Sequence, residues 1–187
     1  MLTDFYAGND TDAKGRTFGD LIAMSDDELR TTRDYVPYLF PIAEESRAYR
    51  NAPILTKEQA EKFVSDTALR DNVKISVNRF LTYLHGDEEW RQPVNSAHAK
   101  ISQMIRFLKM IKMDEEVVKI IDWCSKNGGS LDCHKKWQKL GMGSYVAPWD
   151  REPVESDDPT ADPNTPSTQP VDPNACSSSL GSCSTGV

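Results

Sequence analysis

Residues 26–41, DDELRTTRDYVPYLFP, decide what kind of chain this is. Ser25 and Glu28 form a capping box, in which each side chain satisfies an orphan backbone N–H at the other, and they predict a helix from about Asp26 to Tyr35. Pro37 disfavours a helical conformation at Val36 and has no N–H of its own, so the chain is expected to kink or leave the helix there, and Pro41 repeats the instruction. Tyr35, Tyr38, Leu39 and Phe40 crowd this corner. So much large apolar surface beside helix breakers serves either a binding cleft or core packing, and large aromatics dominate both.

Outward from this stretch the helical pattern continues. Thr17 to Met24 suits a short helix, and residues 42–55 read as an irregular connection. Thr56 and Gln59 make a second capping box for a helix through about Val64, and Ser65 or Asp66 can cap the next. That next helix carries Leu69, Val73, Val77, Phe80, Leu81 and Leu84 on one stripe and is expected to end at His85-Gly86, with glycine just past the last turn. Asp87 to Val94, with Trp90 and Pro93, reads as a loop. From Ser96 to about Met113, Ile101, Met104, Ile105, Phe107, Leu108 and Ile111 cover most of the circumference, the mark of a bundle's central helix, with Lys100, Arg106 and Lys109 on the remainder. Asp114 is expected to cap a helix from Glu115 to about Ser125, closed by Asn127-Gly128-Gly129, and Ser130 to start a last one through Leu140. No segment has a strand period. The expected fold is all-α: a single compact multi-helix domain over residues 1–149, with about six to seven helices.

Residues 150–187 are different in kind. They are rich in Pro, Ser, Thr and Asp and hold seven acidic residues against Arg151 alone, so most of the net charge of −7 resides there. Such a segment lacks the apolar surface to offset ordering and reads as an acidic disordered tail. The near-neutral body argues against a nucleic-acid footprint, which needs a denser basic stripe than the nine Lys/Arg and five Asp/Glu of residues 100–140. No apolar run approaches the roughly 18 residues that cross a bilayer, and the N-terminus has no charged leader followed by an apolar core, so the chain is expected in the cytosol or, in a eukaryote, also in or around the nucleus. Four cysteines, Cys124, Cys133, Cys176 and Cys183, are too sparse for a disulfide-stapled module, and reduced thiols are expected.

Chemistry is harder to find. The C-x8-C-H spacing of Cys124, Cys133 and His134 matches no close zinc ligand pair, and no cofactor or metal is expected. GNDTDAKGRTFG has spaced glycines but lacks the G-K-[ST] of a phosphate loop. His85 is placed to cap a helix C-terminus and His134 lies on the last helix, which leaves His98 as the base or acid of any hidden active site, with no partner evident in sequence. Thr185-Gly186-Val187 has the Thr-x-Val form that adds to a PDZ-type groove.

Taken in order, several motifs together resemble the conserved N-terminal region of the opioid growth factor receptor family. They are Phe5, Tyr6 and Gly8; Gly15, Arg16 and Thr17; Asp26 and Leu29; and Asp34, Tyr35, Leu39, Phe40 and Pro41. The likeness runs on through APILT, RFLTYLHG, Trp90 and KISQMIRFLKMI, and departs from the family at Arg33, Pro37 and Gln103. It implies an all-helical, non-enzymatic binding module for a peptide or protein segment, in animals an enkephalin-type peptide, acting near or in the nucleus. Tyr35, Tyr38, Phe40, Trp90 and His98 are the residues expected to line its cleft, with core packing as the competing role. Two further readings stay open: a small helical enzyme using His98, and a weak nucleic-acid scaffold contacting phosphates through Lys100, Arg106 and Lys109.

Overall fold

Helix starts are where local chemistry is most explicit, and the computed structural model of the chain bears this out. It describes residues 1–45, 49, 51–143 and 145–151, which form one unit, Met1–Arg151. Of the expected tail, 150–187, Asp150 and Arg151 belong to this unit, and the rest, with Cys176, Cys183 and Thr185–Val187, lies outside the described residues. Thr17 caps α2 (Phe18–Ala23), Ser25 caps α3 (Asp26–Thr31) and Thr56 caps α5 (Lys57–Ser65), each in a reciprocal capping box with the residue three further on. Asp66 opens the 20-residue α6 (Thr67–Gly86) by accepting from the N–H groups of Ala68 and Leu69, and Ser130 opens α9 (Leu131–Met142) by accepting from Cys133. The remaining helices are α1 (Leu2–Tyr6), α4 (Val36–Leu39), α7 (Ala97–Met110) and α8 (Asp114–Asn127), with 3-10 turns at Glu88–Arg91 and Pro148–Asp150. Among the described residues the fold is all-α with nine α-helices, two or three more than expected. An isolated parallel bridge joins Ile42 and Ile54.

Four boundaries differ from expectation for identifiable reasons. α3 stops at Thr31 because Thr32 is extended, and Tyr35 folds back so that its hydroxyl donates to the Leu29 carbonyl at 3.2 Å. Pro37 then begins a helix instead of ending one: in the first turn of α4 its missing N–H is one that would have no helical partner anyway. At the end of α6, Gly86 is the last helical residue and an extended Asp87 caps it, so no left-handed glycine is used. α7 ends at Met110, and the left-handed corner into α8 falls on Lys112 at φ 56°, with Asp114 already helical.

α7 is the central helix. On one side its Phe107 meets an aromatic cluster: Tyr6 lies 5.0 Å from both Phe18 and Phe63, and Phe63 lies 5.5 Å from Phe107. Tyr6 also donates its hydroxyl to the Leu39 carbonyl and accepts at its own carbonyl from Asn72, which pins α1 to α4 and α6. On the other side α7 packs against α8 and α9 through Val117, Ile120, Ile121, Cys124 and Trp137. The approach of α8 to α9 depends on Gly141, where a Cβ would stand 2.5 Å from Ile121 Cδ1 and 2.6 Å from Val117 Cγ1. Lys100 and Ser102 are buried on α7 with the apolar set, although the sequence pattern put Lys100 on the polar remainder.

Candidate functional site

A surface groove of about 450 Å3 opens where the loop between α1 and α2 meets α4. The loop is built around Asp12. Its carboxylate accepts from the backbone N–H of Lys14 (2.8 Å) and of Arg16 (2.9 Å) and from Arg16 Nε (2.7 Å), while its carbonyl accepts from Gly15, whose φ of 77° lets the chain reverse. Arg16 reaches on to Asp34 at 3.0 Å, and Lys14 Nζ meets the other oxygen of the same carboxylate at 2.5 Å. Burial pushes both Asp12 and Asp34 upward. For each, hydrogen bonds and nearby cations outweigh that effect and hold the carboxyl below the ordinary aspartate range.

Tyr38 and Pro37 bring α4 to this groove. The Tyr38 hydroxyl accepts from the Ala13 N–H at 3.0 Å, and its ring tilts against Phe5 at 5.5 Å. Pro37, Tyr38, Ala13 and Ala52 make an apolar surface, and Lys14, Arg16, Asp34 and Asn51 supply polar groups beside it. A groove of this size and character suits an apolar or aromatic side chain flanked by hydrogen-bonding backbone.

A second, smaller groove of about 190 Å3 shares Pro37 and Tyr49 with the first and includes Lys100, Arg33 and Gln103. Lys100 Nζ donates to the Leu29 carbonyl (3.0 Å) and the Tyr35 hydroxyl (3.1 Å) and sits 5.1 Å from the Tyr35 ring centre and 5.9 Å from that of Tyr83. Tyr83 in turn donates to Asp87 at 2.8 Å. Burial, with Arg33 nearby, pushes the Lys100 ammonium down to about 8 against the weaker pull of Asp87. Burial drives Tyr35 and Tyr83 upward, in the second case with help from Asp87.

The five residues expected to line one cleft do not come together. Tyr35, Phe40 and Trp90 are fully buried and serve the core: Tyr35 in the lysine network, Phe40 against Phe80, and Trp90 stacked on Trp123 at 5.5 Å. Of the five, Tyr38 lines the large groove. His98 sits elsewhere, in the first turn of α7, with Nε2 2.7 Å from the Trp90 carbonyl and Nδ1 3.2 Å from Cys133 Sγ. It does have a polar neighbour, although neither groove includes it. Asp12, Lys14, Arg16, Asp34 and Asn51 line the groove without being among the expected cleft residues; the signal for them in the sequence is the DAKGR turn, which lacks the G-K-[ST] of a phosphate loop.

The scaffold reading loses one of its three cations, since a buried Lys100 bonded to a carbonyl and a phenol cannot reach a phosphate backbone. Among the described residues no group of three or more His, Cys, Asp or Glu could hold a metal, and no helix is long and apolar enough to cross a membrane. Fold and site together define a class, an all-helical unit with an amphipathic surface groove. No protein-family model, curated protein or solved structure matches the chain.

Proposed function

We propose that the chain is a non-enzymatic binding module of the opioid growth factor receptor type, which takes a peptide or protein segment in the groove beside Tyr38. The observation that carries this reading is the pairing of an apolar surface, Pro37 and Tyr38, with fixed charges at Lys14, Arg16 and Asp34 in a groove of about 450 Å3. Several residues of the family resemblance build it: Gly15 turns the loop, Arg16 and Asp34 hold its ion pairs, and the segment that includes Tyr35 and Phe40 positions α4. The segment recognised would present an aromatic or aliphatic side chain to Tyr38 and a charged group to Asp34 or Lys14. An enkephalin-type peptide, implied by the family in animals, has that character and belongs in the test set.

The test is titration of the full chain with a peptide library, followed by the tightest peptides against Ala52→Trp, which fills the groove from its rim, and Tyr38→Ala. Saturable binding that weakens roughly tenfold or more in Ala52→Trp, with the thermal midpoint kept, is the expected result. Saturable binding indifferent to both substitutions would move the site elsewhere.

A further inference from the structure

Cys133 stands in the first turn of the 12-residue α9, His98 in the first turn of α7, and the Trp90 carbonyl in the 3-10 turn before it. A carbonyl oxygen only accepts, so the 2.7 Å contact requires His98 Nε2 to carry the proton and donate it to Trp90. Nδ1 is then the acceptor, and it faces Cys133 Sγ at 3.2 Å, close enough to receive the thiol proton. The Trp137 ring system, its centroid 5.7 Å from that of the imidazole and its plane inclined at 79°, braces the imidazole. A thiol, a base in contact with it and a third group that orients the base is the arrangement that activates a sulfur nucleophile. The α9 N-terminus adds a favourable field for negative charge developing on sulfur. Ser130 Oγ accepts from the Cys133 N–H at 3.3 Å and so holds that turn in place.

Both side chains are partly buried. A small reagent reaches such a sulfur far more readily than a bulky one. Cys124, in contrast, is wholly buried and its thiol is pushed up to about 12, so the same chain contains an inert thiol for comparison.

We infer that Cys133 is a peroxide-reactive thiol for which His98 serves as the base, a modification site separate from the peptide groove and independent of it. In the step, Sγ attacks one oxygen of hydrogen peroxide, an S–O bond forms and the O–O bond breaks. The thiol proton passes to His98 Nδ1 and on to the departing oxygen, which leaves as water. Sulfur is oxidised from thiol to sulfenic acid and peroxide is reduced.

Exposing the full chain to hydrogen peroxide in the presence of a dimedone trap, and following the tryptic peptide that contains Cys133 by mass spectrometry, measures this directly. The folded chain should trap at Cys133 roughly 10- to 100-fold faster than the urea-unfolded chain, after correction with N-acetylcysteine in the same buffers, and Cys124 should stay unmodified. His98→Gln should bring the folded rate down to that of the unfolded chain. A folded rate equal to or below the unfolded one overturns the proposal, as does a His98→Gln chain that folds and keeps the full rate. Where that variant does not fold, the folded-to-unfolded ratio of the natural chain decides alone.

Discussion

Arg16 and Lys100 are two cations set among aspartates and tyrosines, and the difference between their surroundings separates binding from stability. Arg16 lies at the surface between Asp12 and Asp34 and meets opposite charge on both sides. Lys100 lies inside, held by a carbonyl, a phenol and two aromatic faces, with no carboxylate among the described residues in contact. The first arrangement favours the charged state, as the depressed carboxyls beside it show. The second resists it, and the Lys100 ammonium is correspondingly easy to deprotonate. A cation ringed by carboxylates near water is available to a ligand, whereas one ringed by aromatics and a carbonyl ties α7 to α3.

Truncation should break this comparison most sharply. Lys100→Ala leaves the Leu29 carbonyl with one donor fewer, deprives Tyr35 of a partner and opens a cavity, and urea denaturation should show a loss of about 2–4 kcal/mol. A loss under about 0.5 kcal/mol would mean that the buried cation contributes nothing net, as happens with some buried charges.

The pH dependence of stability should divide the two regions next. The folded value of Lys100, about 8, lies below the ordinary 10.5. Between those values the unfolded chain holds a proton that the native chain has lost, so stability rises with pH across that window. Tyr6, Tyr35 and Tyr83 are shifted the opposite way, above the ordinary 10.0, so the unfolded chain releases their protons first and stability falls beyond about pH 10. Asp12 and Asp34 act at the other end: their depressed carboxyls stabilise the fold above the ordinary 3.8, and this is lost as acid protonates them. Denaturant midpoints from pH 2 to 11 should therefore climb out of acid, rise again past pH 8 and drop above pH 10. Lys100→Met should flatten the second rise and leave the acid limb as it was.

Smaller effects sharpen the surface side. Arg16→Ala should cost about 1–2 kcal/mol, because the Asp12 side chain it releases is only 1% exposed. Lys14→Ala, at a side chain 63% exposed, should cost less than about 0.5 kcal/mol by the same assay. Under the proposed binding role its effect falls on the affinity for an acidic peptide, and a large stability loss there would show the groove loop to be more structural than the ion pairs suggest.

How much of this could be read from residues depends on the distance over which each feature is decided. The capping boxes at Ser25 and Thr56 and the cap at Ser130 are settled within three residues and match expectation, and of the two caps open for α6, Ser65 and Asp66, the fold uses Asp66. The stripe from Leu69 to Leu84 was equally plain, with Leu81 alone only partly buried. Pro37 was misread because a proline both stops and starts helices, and which it does depends on whether the chain has already left the helix, as it had at Thr32. Lys100 looked like surface because periodicity cannot see the carbonyl of Leu29 waiting 71 positions earlier. Cys133 and His98 are 35 positions apart, and only the packing of α9 on α7 makes them neighbours. The groove lay in plain view as the residues from Asp12 to Arg16, but its meaning depended on Asp34 and Tyr38 arriving from another element.

The aromatic cluster around Tyr6 also has a consequence in time. Tyr6 is synthesised well before Phe107, part of the surface that buries it, which follows about a hundred positions later, roughly 5–20 s of ribosomal elongation. Throughout that interval α1 has no finished core to enter. The contacts among α7, α8 and α9 are local in sequence and form quickly once made, whereas α5 and α6 must reach α1 across the whole segment that contains α2, α3 and α4. The nascent chain therefore shelters α1 late, although α1 is made before every helix that covers it.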